Sequence, residues 1–419
     1  MNKKKLWIVS ESEPIPDITK SGRLMRAGRL CEYALKNDFE VTWWSSTWMH
    51  YEKRFVSDVD LETKISNGTN IVLLHAKKAY KKHVSIDRII YCKRMQKLFN
   101  KKINKVNELP DLIICSWPSI ELSYESVKFG KKHNIPVIID IRDLWPEIFV
   151  QPFSGLKRRI VFLIVKLLYG KIVRFVVKNA YQVIGVTQDA VDLAYRWGRK
   201  DNTLDKPIYL ACNRKEYDEE ILLINQSKWE KLGIFSSDKI FVYVGSIHLR
   251  NAKLNLIIEA ATKLPNVKFV FCGSGPDLDL LVNNCKTLSN VFFPGYMNEA
   301  EINILEQEAT CGILPYSNTP DFINALPTKM CEYLSNGLPV LTHLKGKSRE
   351  ILEENDCGGY FSNSEELVQL IQDYISNDEF LLTSKKNALK LFNECFNADF
   401  TYNDFMKSLK NKKEDGDNL

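Results

Sequence analysis

The chain has 419 residues, more than one ordinary hydrophobic core accommodates, so we expect at least two domains. Hydrophobic residues make up 45% of the sequence and the net charge is only +6, a composition that excludes disordered and fibrous proteins. No run of 18 uncharged apolar residues occurs, so no membrane-spanning helix is predicted.

The predicted elements follow a single pattern along the chain, in which short β-branched runs alternate with segments of helical period. This pattern is typical of parallel sheets covered by helices. In the first half we predict strands at 6–12, 39–46, 69–76, 111–117, 136–143 and 182–187, with helices at 22–36, 86–107 and 119–134. After a break near 201–207 we predict strands at 239–246, 267–273, 291–295, 311–316 and 338–344, with helices at 252–264, 276–285, 299–307, 328–336 and 365–376.

Two successive series of this kind predict two doubly wound α/β domains with a cleft between them. We place the first domain at 1–205 and the second at 206–390. Residues 391–419 are predicted to form a helix that crosses back to the first domain, followed by a charged tail. Ligands of such sheets bind at the carboxyl ends of the strands, so chemistry is expected in the loops that follow strands.

Charge and cysteine content indicate the environment of the chain. Residues 1–200 hold 36 Lys and Arg against 20 Asp and Glu, whereas the remainder holds 22 against 32. The first half is therefore expected to face an anionic partner: nucleic acid, a phosphorylated substrate or a membrane surface. No basic-aromatic recognition motif accompanies the charge, which disfavours nucleic acid.

The ten cysteines are scattered, without a C-x-x-C pair, and the sequence turns polar shortly after its start. We therefore expect reduced thiols in a cytoplasmic chain with no secretory leader. The six histidines are dispersed without metal-ligand spacing, so no metal site is predicted.

The strand end at 139–147, with the sequence IDIRDLWPE, combines acids, an arginine and a tryptophan. Because functional residues concentrate on loops of this kind, Arg142 and Asp143 are candidate site residues. An ion pair within the domain, between Arg142 and Asp140 or Asp143, is the alternative.

A basic segment spans residues 157–178 and holds seven Lys and Arg and no acid. On a helical wheel one arc is apolar, formed by Val161, Phe162, Val165, Leu168, Tyr169, Ile172, Val173 and Val176. The other half carries cations that include Lys166, Lys171, Arg174 and Lys178. This pattern predicts a helix lying on an anionic membrane surface. A core helix whose lysines reach into water is the alternative.

Two glycine-containing loops follow strands of the second domain. Gly245 and Ser246 precede Arg250 and Lys253 at the start of a helix, a combination that can hold a diphosphate through backbone N–H groups and two cations. An ordinary turn with a basic rim is the alternative. The later loop, GSGP at 273–276, resembles the start of a dinucleotide fingerprint, but Leu278 replaces its third glycine, which disfavours a nicotinamide cofactor.

The helix predicted at 328–336 opens at Pro327 or Thr328. At 100° per residue its polar face is predicted to hold Lys329, Glu332, Tyr333 and Asn336. A cation near the helix N-terminus and an acid one turn later fit a sugar nucleotide, with phosphate at the helix start and ribose one turn along. A solvated helix face is the alternative.

With its loops in this order, the chain resembles the retaining family-4 glycosyltransferases of the GT-B fold, and more closely the bacterial surface-polysaccharide enzymes. The motifs that carry the resemblance are SGRLMRAGRLCEYALKNDFEVTWWSS, DIRDLWPE, VYVGS, FCGSGP, FPGYMNEAEINIL and LPTKMCEYLSNGLPV. The resemblance implies two doubly wound Rossmann-like domains facing each other across a cleft.

The resemblance also implies donor contacts. Gly22 would face the donor phosphates, Tyr296 and Met297 the base, Glu332 the ribose and Lys329 the diphosphate.

Further roles implied by the resemblance depend on positions where this sequence departs from the family. Arg142 and Asp143 stand where many members have a histidine-aspartate pair near the reacting sugar. The first acid of the family's E-x7-E motif is replaced by Asn324. The usual lysine-glycine pair before helix LNLIIEAA is Ala-Lys here, so the diphosphate cation is Lys253 or Arg250.

The reaction implied by the family is front-face transfer with retention, without a metal or cofactor. The donor would be a UDP-sugar and the acceptor a polyprenyl-diphosphate-linked saccharide in capsule, O-antigen or exopolysaccharide synthesis. The enzyme would associate peripherally with the cytoplasmic face of the membrane. A UDP-sugar epimerase of the same fold and a non-catalytic glycosyltransferase-like subunit are the alternatives.

Overall fold

The structure is a computed structural model that describes residues 3–11, 13–20, 24–50, 52–80, 85–150, 153–323 and 326–411. It divides into two compact units: residues Met1–Tyr209 with Tyr402–Leu419, and residues Leu210–Thr401. The division falls between 209 and 210, close to the expected boundary between 205 and 206.

The first unit is built on a sheet of eight strands in the described part of the chain. Its strands, with a separate pair, are β1 (Lys4–Val9), β2 (Phe39–Ser46), β3 (Trp48–Met49), β4 (Arg54–Phe55), β5 (Leu61–Lys64), β6 (Asn70–Leu74), β7 (Leu112–Trp117), β8 (Val137–Ile141), β9 (Gln182–Gly185) and β10 (Lys206–Pro207). The sheet order is β10-β9-β8-β7-β1-β2-β6-β5, and only β5 runs antiparallel to its neighbour. β3 and β4 pair antiparallel outside this sheet. The strand order reverses between β1 and β7, which is where such sheets open a ligand crevice.

Helices cover this sheet and connect its parallel strands: α1 (Arg26–Lys36), α2 (Ile86–Ile103), α3 (Ile120–His133), α4 (Gly155–Asn179) and α5 (Gln188–Arg196), with a 3₁₀ turn at Glu147–Phe149. The core between sheet and helices is aromatic. The Trp7 ring lies 5.0 Å from that of Trp44 and 5.5 Å from that of Phe129, measured between centroids. Within the described residues, no helix has both the length and the apolarity needed to cross a membrane.

The second unit contains a sheet of six described strands, all parallel, in the order β13-β12-β11-β14-β15-β16. They are β11 (Ile240–Val244), β12 (Lys268–Cys272), β13 (Val291–Gly295), β14 (Cys311–Leu314), β15 (Val340–Thr342) and β16 (Gly358–Tyr360). Its helices are α6 (Glu219–Lys231), α7 (Leu254–Lys263), α8 (Leu278–Asn284), α9 (Glu299–Glu308), α10 (Pro320–Ile323), α11 (Thr328–Ser335), α12 (Lys347–Glu354), α13 (Ser364–Ser376), α14 (Asp378–Leu391) and a π-helical turn at Phe392–Phe396. The order reverses between β11 and β14.

The last helix, α15 (Ala398–Asn411), begins in the second unit and belongs to the first from Tyr402 onward. In the first unit it buries Phe405 and Met406 completely. The side-chain amide of Asn37 donates to Oδ1 of Asn403 at 2.8 Å. These contacts attach the end of the described chain to the end of α1.

Candidate active site

Two glycine loops pack directly on each other at the carboxyl edge of the second sheet. Gly273 has φ +148°, and a Cβ atom there would lie 1.9 Å from the carbonyl oxygen of Gly245. A Cβ on Gly275 would lie 2.2 Å from the carbonyl oxygen of Ile247, whose own N–H donates to Ser274 at 2.9 Å. Because only glycine fits these approaches, the G-S-G sequence is explained by loop packing. Ser246, in the same turn, is exposed.

The loop that carries the two predicted phosphate cations is held by backbone hydrogen bonds to the chain after β14. The N–H of Lys253 donates to the carbonyl of Pro315 at 2.6 Å, and that of Ser317 to the carbonyl of Asn251 at 2.8 Å. The Ser317 hydroxyl donates to the carbonyl of Arg250 at 3.1 Å. The Arg250 and Lys253 side chains themselves are exposed. The structure therefore fixes two cations at the start of α7, beside the reversal of strand order.

The first turn of α11 presents an ion pair. Pro327 precedes the helix, Thr328 is its first residue, and Lys329 pairs with Glu332. The side chains of Lys329 and Glu332 are 17% and 31% exposed. A cation and an acid thus stand one turn apart near a helix N-terminus, where free N–H groups favour anions.

The helical-wheel prediction was wrong for Tyr333, because this residue lies in the core and not on the polar face of α11. Its side chain is completely buried, and its hydroxyl accepts a hydrogen bond from the N–H of Val244 at 2.9 Å. A Cβ on Gly312 would lie 2.4 Å from the Tyr333 ring. This contact anchors α11 to β11 and β14, because the tyrosine fills the space that a side chain at 312 would need.

A buried acid that the sequence analysis missed stands behind this ion pair. Glu306, on α9, is 2% exposed, and its Oε1 atom lies 3.9 Å from Nζ of Lys329. Its Oε2 atom accepts a hydrogen bond from the Asn336 amide at 2.8 Å. Burial raises the pKa of Glu306 to about 7. The sequence did contain a signal for this acid. Glu306 follows Ile302 by four residues and Leu305 by one, so helical spacing places it on the same face of α9 as these apolar residues.

The segment after β13 offers an aromatic surface. Tyr296 is 84% exposed and Met297 half-buried. Asn298 then begins α9 with a capping box. Its side chain accepts a hydrogen bond from the N–H of Glu301, and the Glu301 carboxylate accepts one from the N–H of Asn298. The cap fixes the start of α9 and leaves the Tyr296 ring open to a ligand.

The strand end at 139–147 contains the internal ion pair that was considered as the alternative. Asp140 is fully buried and accepts from Arg26 at 2.8 Å and from Nε of Arg142 at 2.9 Å. Arg142 also pairs with Glu13, and burial lowers the pKa of its guanidinium to about 10. Its Nη2 atom has no hydrogen-bond partner among the described residues. Asp143 is exposed.

The structure divides the predicted apolar arc of α4 between the core and the surface. Val165, Tyr169, Val173 and Val176 are buried in the first unit, so that part of the arc forms core. The exposed apolar surface lies on the first half of the helix. It includes two members of the predicted arc, Phe162 and Leu168, and five other side chains, with 39% to 84% of each exposed: Leu156, Ile160, Leu163, Ile164 and Leu167. The sequence analysis located the exposed face only in part, because both faces are apolar in this half of the helix. The four predicted membrane cations, Lys166, Lys171, Arg174 and Lys178, are exposed.

Two predicted donor contacts, Gly22 and Asn324, lie outside the described residues. Among the residues that the structure does describe, no three His, Cys, Asp or Glu side chains are grouped as a metal site would require. The absence of a metal from the reaction remains a prediction.

Comparison with known proteins gives a family match for part of the chain. Residues 225–391 match the family described as Glycosyl transferases group 1. The chain is 24% identical, over 311 residues, to the alpha-monoglucosyldiacylglycerol synthase of Acholeplasma laidlawii, covering 70% of this chain and 73% of that protein.

Solved structures share the fold over nearly the whole length. Sucrose-phosphate synthase from Thermosynechococcus elongatus has a TM-score of 0.70 at 14% identity, covering 98% of this chain and 100% of that one. The Anabaena protein HepE, in complex with UDP, has a TM-score of 0.62 at 14% identity, covering 97% and 99% of the two chains. A HepE complex with UDP-glucose gives a TM-score of 0.59. With its two doubly wound units, the chain is a glycosyltransferase of the GT-B fold in which residues 225–391 match the group 1 glycosyl transferases.

Proposed function

We propose that the protein is a retaining, metal-independent hexosyl- or N-acetylhexosaminyltransferase that moves a sugar from UDP to a lipid-linked acceptor on the cytoplasmic face of a membrane. The observation that carries the proposal is the Lys329–Glu332 pair in the first turn of α11, backed by buried Glu306. The lysine cation and the free N–H groups of the helix N-terminus can bind a phosphate, and the carboxylate can accept hydrogen bonds from ribose hydroxyls. The HepE complexes with UDP and UDP-glucose support a nucleotide-sugar donor.

In this proposal the donor lies along the carboxyl edge of the second sheet. The diphosphate contacts the backbone at Gly245, Ser246 and Thr328 and the side chain of Lys329. The ribose hydroxyls donate to Glu332, and the base meets the segment at Tyr296 and Met297. Pro327, Asn324 and Gly22 are proposed as further donor contacts.

The departing diphosphate is the group that catalysis must stabilise. In front-face transfer, the acceptor hydroxyl attacks on the side that the diphosphate leaves, and a phosphate oxygen takes the hydroxyl proton. Negative charge then grows on the leaving group, and Arg250, Lys253 and Lys329 are cations that can stabilise it. Arg142 and Asp143 are proposed to act near the reacting sugar. The available donor is the Nη2 atom of Arg142, which has no hydrogen-bond partner among the described residues.

The exposed apolar surface of α4 is proposed to face an anionic membrane. The side chains of Leu156, Leu163 and Leu167 are largely exposed. Lys171, Arg174 and Lys178 follow along the same helix and are exposed, and the helix contains no acid. Apolar groups that enter the leaflet and cations that contact its headgroups are the two components of interfacial binding.

The acceptor proposed first is a polyprenyl-diphosphate-linked saccharide of capsule, O-antigen or exopolysaccharide synthesis. The similarity to alpha-monoglucosyldiacylglycerol synthase favours a second candidate, diacylglycerol. Incubation with a panel of UDP-sugars and both lipid acceptors in phosphatidylglycerol vesicles tests the proposal. A glycolipid product supports it and identifies the acceptor.

Two other outcomes would replace the proposal. Isomerisation of a UDP-sugar without an acceptor indicates an epimerase. Failure to bind UDP or another nucleotide diphosphate at millimolar concentration indicates a non-catalytic subunit.

A further inference from the structure

A row of polar side chains on α9 and at the end of α11 leads to the buried acid of the second unit. The amide of Gln307 donates to Oδ1 of Asn303 at 2.8 Å, and the amide of Asn303 donates to Oδ1 of Asn336 at 3.0 Å. The Asn336 amide in turn donates to Oε2 of Glu306 at 2.8 Å. These bonds fix the carboxyl group of Glu306, so that Oε2 faces Asn336 and Oε1 is the oxygen left over.

The Oε1 atom of Glu306 accepts no hydrogen bond within the described part of the chain. It lies 3.9 Å from Nζ of Lys329, which is too long for a hydrogen bond, and Lys329 pairs with Glu332 on its other side. A buried carboxylate with an unpartnered oxygen is costly as an anion, and an ammonium group nearby offsets part of the cost. The charge on Glu306 therefore depends on its attraction to Lys329.

A diphosphate bound to Lys329 would weaken that attraction. Its negative charges would approach a cation that already has two carboxylates beside it. Negative charges this close together, in a partly buried site, favour protonation of one of the acids. Glu306 is the acid that accepts the proton, because Glu332 is 31% exposed and its ionised form would gain hydrogen bonds from the ribose hydroxyls.

Resting on the glycosyltransferase function proposed above, we propose that Glu306 takes up a proton from solvent when the donor diphosphate binds Lys329, and releases it when the diphosphate leaves. The proton bonds to Oε1, the oxygen that Asn336 does not contact. The neutral carboxyl group then neither repels the diphosphate nor competes for the ammonium group. Glu306 is thus a positioning residue that acts on the donor through Lys329.

The titratable groups around Glu306 leave it as the group that gains the proton near neutral pH. They come from α11, from the segment before α6 and from the end of β12: Lys329, Glu332, Tyr333, Tyr217 and Cys272. Burial raises the pKa of both tyrosine hydroxyls and of the Cys272 thiol, so these groups stay neutral. Burial also raises the pKa of Glu306 to about 7, so its carboxyl group is only partly ionised at neutral pH.

The test counts protons by isothermal titration calorimetry of the full chain with UDP-glucose and with UDP-N-acetylglucosamine, without an acceptor. Titrations at one pH in buffers with different heats of ionisation give the number of protons taken up. UDP-sugars replace UDP because their diphosphate has no group that titrates near neutral pH. We expect about half a proton per donor at about pH 7, more at about pH 8 and almost none at about pH 5.5.

The pH dependence of the affinity gives the same quantity independently. A ligand that binds the protonated form more tightly loses affinity as the pH rises through the pKa of the free protein. The Kd is therefore expected to increase about three- to tenfold between about pH 6 and about pH 8. Glu306→Gln should bind the UDP-sugar without proton uptake and with little change over this range.

Three control variants identify the group that gains the proton. Glu308→Gln lies two residues further along α9 and is exposed, so it should take up protons like the wild type. His248→Gln and His343→Gln remove the histidines of the second unit, which are the other groups there whose ordinary pKa is near neutral. Both should keep the proton uptake.

Binding of a UDP-sugar without proton uptake at about pH 7 and about pH 8 would overturn the proposal and leave the proposed function in place. Because this measurement uses the wild type, it does not depend on the folding of any variant. Uptake that persists in Glu306→Gln, or that disappears in either histidine variant, would also overturn the proposal. If neither UDP-sugar binds at millimolar concentration, the proposed function itself is contradicted, and the proposal with it.

Discussion

The ammonium nitrogen of Lys329 lies 3.9 Å from Oε1 of Glu306, a carboxyl oxygen that accepts no hydrogen bond from the described residues. On its other side Lys329 pairs with Glu332. The lysine therefore stands between a buried acid and a partly exposed one. We infer that the buried acid positions the cation, while the partly exposed acid is the one that a ligand can reach.

The wild-type protein is expected to lose folding stability between about pH 5 and about pH 8.5, and Glu306→Gln is expected to reduce that loss. The folded-state pKa is raised from 4.5 to about 7, so the stabilising contribution of the protonated form is complete below 4.5 and is lost as pH rises through 7. A shift of this size corresponds to at most about 3 kcal/mol. Urea unfolding at about pH 5 and about pH 8.5 measures the effect.

The control for this experiment is Glu353→Gln, on the exposed face of α12 where Glu353 pairs with Arg349 at 2.9 Å. It should unfold like the wild type at both pH values. A stability difference between wild type and Glu306→Gln that is the same at both pH values would contradict the raised pKa.

Glu332→Ala and Arg250→Ala are expected to impair use of the UDP-sugar. Loss of one charge-assisted hydrogen bond corresponds to roughly 30- to 150-fold in donor kcat/KM. Steady-state kinetics with a fixed acceptor concentration measure it, and Glu353→Ala serves as the control in the same unit. If both variants kept wild-type donor kinetics, the proposed donor site would be wrong.

Replacement of Leu156, Leu163 and Leu167 together by Gln is expected to reduce sedimentation with phosphatidylglycerol vesicles. These three side chains are exposed on α4, so the change removes apolar contact with the leaflet at little cost to the fold. Leu223→Gln with Ile224→Gln, on the exposed surface of α6, is the matched control. Vesicle binding equal to that of the wild type would show that this apolar surface does not contact the membrane.

Reversal of the charges at Lys166, Lys171, Arg174 and Lys178 to Glu tests the electrostatic part separately. Each basic residue near an anionic leaflet contributes about 1 kcal/mol, and salt screens the contribution, so wild-type binding should weaken at high salt. The variant should lose vesicle binding and keep its UDP affinity. Salt-independent binding would argue against a charged surface.

Tyr333→Phe is expected to destabilise the second unit. The substitution leaves the buried N–H of Val244 without the acceptor it has at 2.9 Å, which costs about 1–3 kcal/mol. Tyr360→Phe is the control, because the Tyr360 hydroxyl has no hydrogen-bond partner in the described part of the chain. Thermal unfolding compares the two, and equal melting temperatures would show that α11 is not anchored through this bond.

The strands were predictable because buried parallel strands are continuous apolar runs, as in LWIV of β1 and IFVYV of β11. The sequence analysis missed β5, whose LETK sequence has one apolar residue, and β16, which begins with two glycines. Both are recognisable only from the strands they pair with.

The candidate site was only partly predictable for a related reason. Lys329 and Glu332 could be assigned from helical spacing, whereas Tyr333 and Glu306 depend on which helix face the rest of the unit covers. In the first half of α4 both faces are apolar, so periodicity could not tell the core face from the exposed one. Tertiary packing decides these positions, and local spacing does not report it.

The most direct test of the proposed function counts two products in one reaction. The wild-type protein is incubated with the UDP-sugar and vesicles containing the lipid acceptor, and the UDP released is compared with the glycolipid formed. We predict one UDP for each glycolipid, and no UDP release when the acceptor is left out. A changed UDP-sugar without UDP release, or no product under any donor and acceptor combination, would contradict the assignment of this chain as a glycosyltransferase acting on a lipid.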